Sequence, residues 1–484
     1  MSRFPVNLCL ILVSLSMSLA NPSAANSSRE RRLDVYMPTE EPTQRVYFYS
    51  ASGNEKALIT LFHSLIEKGA KHVNCFLPNT IVCELPGALS ARSFLRDPSV
   101  TMMTDSQVDE MDSPERAFNP GWAKRCYAMV EEQAAARYDP HSTAGGGAYD
   151  AVGPLGDSIL EVPEETVRRT DAEPSDSYPD PRNIAQNSEL LLGSILVQQV
   201  LPESTPHPLN DENWSEQSEA AAIGDAVATT IYLQNTYEKV PLNFVFNKQT
   251  SVRTTMEPIK QPLKETVWIA EVMTALGYPD DGSPDRHLTA VHEFNNDKRR
   301  EYGCDWVFTA FIVNAAKDPD HLFDDTRSIG WSYLGGPYLV VPYPAGDYLM
   351  GQAFKHYMAT MFWALEEGPA SIYGCNDFSG YLDYQNRNKT LGYDPFWNTP
   401  KSCPGIMMPD PCIMNSRDAL EWYYAGDPCE YTAGQFGLVD KNPRNSVPDC
   451  LDAPPTVYFE PSEVETVFTQ NTVIRFKVVS EGVP

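Results

Sequence analysis

Apolar residues in the first part of the chain follow two different periods. Residues 45–52 form an extended apolar run, and Leu58, Leu61, Phe62 and Leu65 recur at helical spacing shortly after it. The pattern predicts strands at 45–52, 72–77, 80–85 and 100–103 and helices at 56–70 and 88–96. The order β-α-β-β-α-β predicts a ferredoxin-like unit, which we assign to residues 34–106.

A second series of elements begins beyond residue 205. The pattern predicts helices at 215–237, 265–276 and 351–367 and strands at 242–246, 306–314 and 338–343. In the helix at 351–367, Phe354 and Met358 share an apolar face, whereas His356, Thr360 and Trp363 lie on the opposite face with Glu367. Because that polar face carries an indole, we expect it to line a cleft or a second buried side.

Two segments lack such a clear pattern. Residues 107–205 contain Gly145-Gly146-Gly147 and clusters of Asp, Pro and Ser, which predict a linker or irregular region. Residues 453–484 alternate apolar and polar positions over a short length. That segment resembles the opening strands of an immunoglobulin-like sandwich, and an added edge hairpin is the other interpretation.

Charge and composition narrow the set of partners. The 484 residues include 37 Lys+Arg and 65 Asp+Glu, a formal net charge of −28. Nucleic acids and anionic membranes are bound through an excess of Lys and Arg, so we expect neither as a partner. An apolar content of 42% predicts a sizeable core. A peptide or protein is the expected partner, and the oligomeric state stays open.

The N-terminus has the layout of a secretory signal peptide. Arg3 precedes the apolar run 8–15, and small residues follow up to Ala25. We therefore assign residues 1–25 to a signal peptide. No later stretch reaches the roughly 18 apolar residues that a membrane span needs. The expected location is extracellular or periplasmic.

The cysteines agree with export. Of the ten, Cys9 leaves with the signal peptide and five lie between positions 375 and 450. Since no CxxC pair occurs, disulfides are a better interpretation than a zinc finger. We expect one thiol to be left over or paired to another chain. We also expect one loop-rich region to contain Cys403, Cys412, Cys429 and Cys450, with at least one pair of them at disulfide distance.

Several segments together carry a family resemblance. They are, in order, 306–313, Gly335-Gly336-Pro337-Tyr338, Phe362-Trp363-Ala364-Leu365-Glu366-Glu367, 379–386, Cys412-Ile413-Met414 and 435–440. This order resembles the secreted bacterial zinc metallopeptidases of the zincin fold, in which a HExxHxFxALDEY-like helix follows a GGPY strand. The resemblance implies an α+β chain with a zincin-like domain at 206–452, a loop-rich, disulfide-bearing C-terminal part, and a propeptide-like origin for residues 34–106.

The chain departs from this family where the zinc chemistry would lie. HExxH enzymes use two imidazoles at i and i+4 and a glutamate base between them. Here the pentad is HYMAT: His356 keeps the first ligand position, Tyr357 replaces the base and Thr360 replaces the second ligand. On a straight helix Glu367 would lie about 16 Å from His356, too far to share a metal.

Other residues complete the set of candidates. Glu366 and Glu367 are weaker metal candidates, for which a solvated helix end is the alternative interpretation. We expect Trp363 and Tyr338 to line the cleft. Asp440, Asn442 and Asp449 resemble a calcium loop that lacks the central glycine.

The sequence therefore favours a secreted pseudopeptidase that binds a peptide or protein and needs no cofactor. The first alternative is an active zinc endopeptidase with unconventional ligands, such as His321 with Asp324 or Asp325 beside His356. The second alternative is a structural cell-surface module. Zinc is expected only for the active enzyme, and calcium only if the loop at Asp440 binds it.

Overall fold

A computed structural model describes residues 43–438 with internal gaps. The gaps are 87–93, 96, 110–117, 137–187, 189, 206–211, 238–239, 280–285, 325–328, 346–349, 370, 381–383, 394–399, 408, 411 and 416–426. The predicted signal peptide at 1–25 and the segment 453–484 lie outside the described residues, as does most of the helix predicted at 88–96.

Thirteen strands and eight helices occur in the described residues. The strands are β1 (Thr43–Ser50), β2 (Lys71–Phe76), β3 (Thr80–Pro86), β4 (Val100–Met103), β5 (Gly193–Ser204), β6 (Leu242–Thr254), β7 (Trp306–Asn314), β8 (Trp331–Ser332), β9 (Tyr338–Tyr343), β10 (Phe378–Ser379), β11 (Tyr384–Gln385), β12 (Thr390–Tyr393) and β13 (Pro400–Ser402). The helices are α1 (Glu55–Glu67), α2 (Asp105–Asp109), α3 (Pro120–Ala136), α4 (Glu216–Thr236), α5 (Glu265–Ala275), α6 (Arg286–Tyr302), α7 (Met350–Met361) and α8 (Glu430–Gln435), with 3-10 turns at Pro258–Lys260 and Pro262–Lys264.

Nine strands form one mixed sheet in the order β4-β1-β3-β2-β6-β5-β7-β9-β8. The neighbours from β2 to β9 in this order pair in parallel, and the remaining pairs are antiparallel. Parallel neighbours need long crossover connections, which helices usually supply. Strands β10–β11 and β12–β13 form two further two-stranded sheets.

Helices cover both faces of this sheet, as β7 illustrates. Phe308 and Ile312 pack in the core cluster that contains α3, α4 and α7. Phe311 and Val313 point to the opposite face and pack with α5 and α6. All nine residues of β7 are buried. A continuous apolar run of this kind is typical of a strand that is covered on both sides.

The predicted mixture of helices and strands is confirmed, and β4, β7 and β9 have the predicted bounds. The finer assignments, ferredoxin-like at 34–106 and zincin-like at 206–452, stay predictions. Asn74 of β2 pairs with Phe244 of β6, so the sheet continues across the predicted boundary at residue 106.

Part of the predicted linker is regular structure instead. Helix α3 packs Trp122 and Cys126 into the core, and β5 lies between β6 and β7 in the middle of the sheet. The local pattern did not predict β5, because Gln198, Gln199 and Pro202 interrupt its apolar run. Both glutamines are buried through tertiary packing.

Helix α7 ends at Met361, six residues before the predicted end at 367. Trp363 adopts a left-handed conformation with φ +70°. Its N–H donates to the Thr360 carbonyl (3.1 Å), and the Ala364 N–H donates to the Ala359 carbonyl (3.1 Å). This is the Schellman termination, which satisfies the last carbonyls of a helix and turns the chain away from it. The residues after Ala364 therefore leave the helix axis.

No helix among the described residues has the length and apolar character needed to cross a membrane.

Candidate functional site

His356, on α7, lies between two hydrogen-bond acceptors that belong to other segments of the chain. Its Nδ1 lies 2.7 Å from the Ile413 carbonyl oxygen, and its Nε2 lies 2.7 Å from Oε1 of Glu366. A carbonyl and a carboxylate can only accept, so both ring nitrogens must donate. This arrangement selects the imidazolium form of His356.

The electrostatic surroundings favour the same form. Burial by itself lowers the pKa of His356, but the charge of Glu366, the hydrogen bond to it and the Ile413 carbonyl raise the pKa, with a smaller contribution from Glu367. The net result is a pKa above the ordinary value of histidine. A histidine must be neutral to coordinate a metal, so the observed contacts of His356 oppose metal binding. The zinc of the HExxH enzymes does not fit the residues at this position.

The other two positions of the altered pentad have packing roles. The Tyr357 ring stands edge-on to the His356 imidazole, with 5.0 Å between ring centroids, and a β-carbon at Gly330 would lie 2.7 Å from its Cε2. The backbone carbonyl of Thr360 accepts a hydrogen bond from the Gly335 N–H (3.1 Å). The Thr360 hydroxyl donates to the His356 carbonyl (3.4 Å). These contacts tie α7 to the preceding loop.

Glu366 and Glu367 have different surroundings. Glu366 pairs with His356, and its side chain is 34% exposed. Glu367 is fully buried and accepts from Asn388 Nδ2 (2.6 Å), Thr432 Oγ1 (2.9 Å) and Cys429 Sγ (3.1 Å). Burial raises the pKa of Glu367, although these hydrogen bonds counteract the shift. The interpretation of Glu367 as part of a solvated helix end is therefore wrong.

The surroundings of Glu367 contain two thiols. The sulfur atoms of Cys412 and Cys429 and a carboxylate oxygen of Glu367 all lie within 4.8 Å of one another. Among the described residues, this is the group of His, Cys, Asp and Glu side chains that could hold a metal ion. Sequence reasoning did not find it, because the three residues lie far apart in the chain. It does not include His356 or His321.

The cysteine pairing differs from the prediction. A disulfide does form in the loop-rich part, but it joins Cys403 to Cys375 instead of to the other predicted members. Six described cysteines are free and buried, namely Cys75, Cys83, Cys126, Cys304, Cys412 and Cys429. The expectation of a single leftover thiol is therefore wrong, since several of these thiols are part of the packed core. Cys450 lies outside the described residues.

Tyr338 is not a cleft residue in this structure. Its side chain is 0% exposed, and its hydroxyl donates to Glu265 Oε2 at 3.1 Å. Trp331 Nε1 (2.6 Å) and the Tyr333 hydroxyl donate to the same carboxylate. Burial raises the pKa of Glu265. The group is a satisfied polar network inside the core, and no periodic pattern in the sequence predicts it.

Three of the remaining predicted residues make contacts of their own, and the others lie outside the described residues. Trp363 is half-buried, and a β-carbon at Gly335 would lie 2.4 Å from its ring. His321 Nδ1 donates to the Ala315 carbonyl (2.6 Å), and the Asp324 N–H donates to the Ile259 carbonyl (3.0 Å). Asp325, Asp440, Asn442 and Asp449 lie outside the described residues.

No protein-family model, curated protein or solved structure matches the chain.

Proposed function

We propose that the protein is an exported pseudopeptidase, meaning a zincin-like scaffold that binds a peptide or protein and does not hydrolyse it. The observation that carries this proposal is that both ring nitrogens of His356 donate hydrogen bonds, to Ile413 and to Glu366. A catalytic zinc needs three protein ligands and an open position for water. The first of those ligands is here engaged in an ion pair.

The absence of a glutamate from the pentad supports the same conclusion. A phenol has an ordinary pKa of about 10 and is a poor base at neutral pH. The Tyr357 ring, moreover, packs against His356 and the backbone at Gly330. The neighbouring carboxylate, Glu366, is engaged in the hydrogen bond with His356.

A binding role has support from the exposed apolar side chains. Among the described residues, the large apolar side chains that are most exposed are Ile372 (59%), Phe378 (59%), Leu391 (51%) and Met407 (101%). We call these four residues the apolar segment, because all fall within 372–407. Phe378 and Leu391 lie inside the loop that the Cys375–Cys403 disulfide closes. Full burial of one such side chain stabilises a complex by about 1.5–3 kcal/mol.

The charge of the chain adds a second property of the partner. With a formal net charge of −28, the protein attracts basic partners and repels acidic ones. We therefore expect a peptide or protein segment that carries both apolar and basic side chains.

Binding and cleavage of one probe test the proposal. The probe is a fluorescent peptide that alternates Leu and Lys, and a peptide with Ser in place of Leu is the control probe. We expect saturable binding of the Leu peptide without cleavage. The Phe378→Ser, Leu391→Ser double variant should bind at least about tenfold more weakly, whereas the exposed control Lys401→Gln should change binding little.

Two outcomes would replace the proposal. Zinc-dependent cleavage of the peptide or of casein that is lost in His356→Ala would favour the active endopeptidase. Equal, negligible binding of both peptides would favour the structural cell-surface module.

A further inference from the structure

Three buried acidic side chains meet outside the altered pentad. Glu367 follows the turn that ends α7, Cys412 opens the short segment 412–415, and Cys429 is the residue before α8. Glu367 and Cys412 are 0% exposed and Cys429 is 7% exposed. Three acidic side chains in one buried space are costly to ionise unless a cation accompanies them.

All three candidate ligand atoms contact the same hydroxyl, that of Thr432. Thr432 Oγ1 lies 2.9 Å from Glu367 Oε1, 3.2 Å from Cys412 Sγ and 3.5 Å from Cys429 Sγ. Cys429 Sγ lies 3.1 Å from Glu367 Oε1. In a tetrahedral zinc site, with metal–ligand distances of about 2.3 Å to sulfur and 2.1 Å to oxygen, adjacent sulfur and oxygen ligands lie about 3.6 Å apart. To hold the ion, Cys429 Sγ and Glu367 Oε1 would therefore have to move apart by roughly half an ångström.

Neighbouring groups already hold these ligands in place. Cys412 Sγ accepts the N–H groups of Cys429 (3.2 Å) and Met414 (3.4 Å), and Cys429 Sγ accepts the Thr432 N–H (3.5 Å). Such bonds orient the two sulfur atoms, as the supporting hydrogen bonds of a metal site do.

A hydrogen bond to the second carboxylate oxygen of Glu367, Oε2, orients the carboxylate. Asn388 Nδ2 donates to Oε2 at 2.6 Å, which leaves Oε1 facing the two sulfurs. The Asn388 side chain is fixed in turn by the Asp410 backbone, through its N–H (2.7 Å) and its carbonyl (2.8 Å). Support of a ligand carboxylate by a second layer of hydrogen bonds is the usual construction of a metal site.

We propose that Cys412, Cys429 and Glu367 form a buried structural site for a thiophilic divalent cation of the zinc class. Two sulfur ligands select such an ion over magnesium or calcium, which prefer oxygen. The burial of all three ligands favours a structural site over a catalytic one, because a catalytic site keeps a position open to substrate. The site does not depend on the proposed function, since no residue of the pentad belongs to it.

Metal analysis of the full-length chain tests this proposal. The protein is purified without reductant, dialysed against metal-free buffer and analysed for zinc. We expect about one zinc per chain, lost in Cys412→Ser and Cys429→Ser. The ion should be retained in His356→Ala and in Cys83→Ser, a control for loss of another buried thiol. Retention of zinc in the His356→Ala variant would show that the ion is not bound by the pentad.

Cobalt(II) provides a second measurement, which begins with the wild-type chain. Replacement of zinc by cobalt in the wild-type chain should give the thiolate-to-metal absorption band, and Glu367→Gln should shift the accompanying visible bands. If peptide mapping instead finds a Cys412–Cys429 disulfide, or two free thiols in a chain without metal, the proposal is overturned.

Discussion

Nε2 of His356 lies 2.7 Å from Oε1 of Glu366, although the two residues are ten positions apart on what the sequence pattern predicts to be one helix. On a straight helix that separation would be about 15 Å. The contact exists because α7 ends at Met361 and the chain reverses at Trp363. The ion pair therefore depends on the helix end and occupies the imidazole that a zinc peptidase would use.

The first prediction concerns the strength of this pair. Glu366→Gln should lower the free energy of unfolding by about 1 kcal/mol, below the roughly 3–5 kcal/mol of a fully buried pair, because Glu366 is one-third exposed. Urea unfolding at neutral pH measures the change. Glu430→Gln, at another exposed glutamate, is the control and should change stability by less than about 0.5 kcal/mol. An equal loss in both variants would contradict the prediction.

The second prediction concerns pH. His356 has a folded-state pKa above its ordinary value of about 6.5. Its stabilising contribution should therefore be complete below pH 6.5 and should disappear as the pH rises through the raised pKa. The groups that face the ring are the Glu366 carboxylate and the Ile413 carbonyl, with Glu367 acting at longer range. Unfolding free energies of wild type and His356→Asn, measured from pH 5 to 9, should converge as the pH rises. A constant difference would refute the assignment of an imidazolium.

The third prediction concerns the close approach of Gly335 and Trp363. Gly335 has φ +78°, and a β-carbon there would lie 2.4 Å from the Trp363 ring. Gly335→Ala should destabilise the fold by about 3 kcal/mol or more, since it combines backbone strain with a clash. Gly69 has a similar φ of +83° but open space around it. Gly69→Ala should cost only about 1–2 kcal/mol, the strain alone. Thermal unfolding of the two variants separates clash from strain.

The fourth prediction restores the motif. The Tyr357→Glu, Thr360→His double variant, made in a Cys412→Ser, Cys429→Ser background, should take up zinc if the scaffold is zincin-like. Zinc must displace the Nε2 proton of His356, which the ion pair with Glu366 holds in place. Adding Glu366→Gln should therefore strengthen zinc binding. Tyr357→Glu alone, with only one histidine in the pentad, is the control. Failure of the double variant to bind zinc while it remains folded would remove support for the zincin-like scaffold.

The local pattern of apolar and polar residues predicted an element well where the residues of that element alone carry the signal. Strand β7 is apolar at almost every position, which predicts a strand covered on both faces, and the structure places it in the middle of the sheet. Helix α4 begins at the capping box of Ser215 and Ser218. Such signals are present in a few consecutive residues, so they can be interpreted without knowledge of the rest of the chain.

Contacts between distant segments could not be predicted in this way. The polar stretch of β5 becomes central because β6 and β7 pair with it, and the end of α7 depends on a left-handed conformation that a tryptophan rarely adopts. The sequence by itself therefore determined elements such as β4, β7 and β9, and the altered pentad. Only the tertiary structure decided that Glu366 meets His356 and that Glu367 lies with Cys412 and Cys429. The physical reason is that periodicity records which side of an element is buried, whereas the partner of a buried polar group depends on how separate segments pack together.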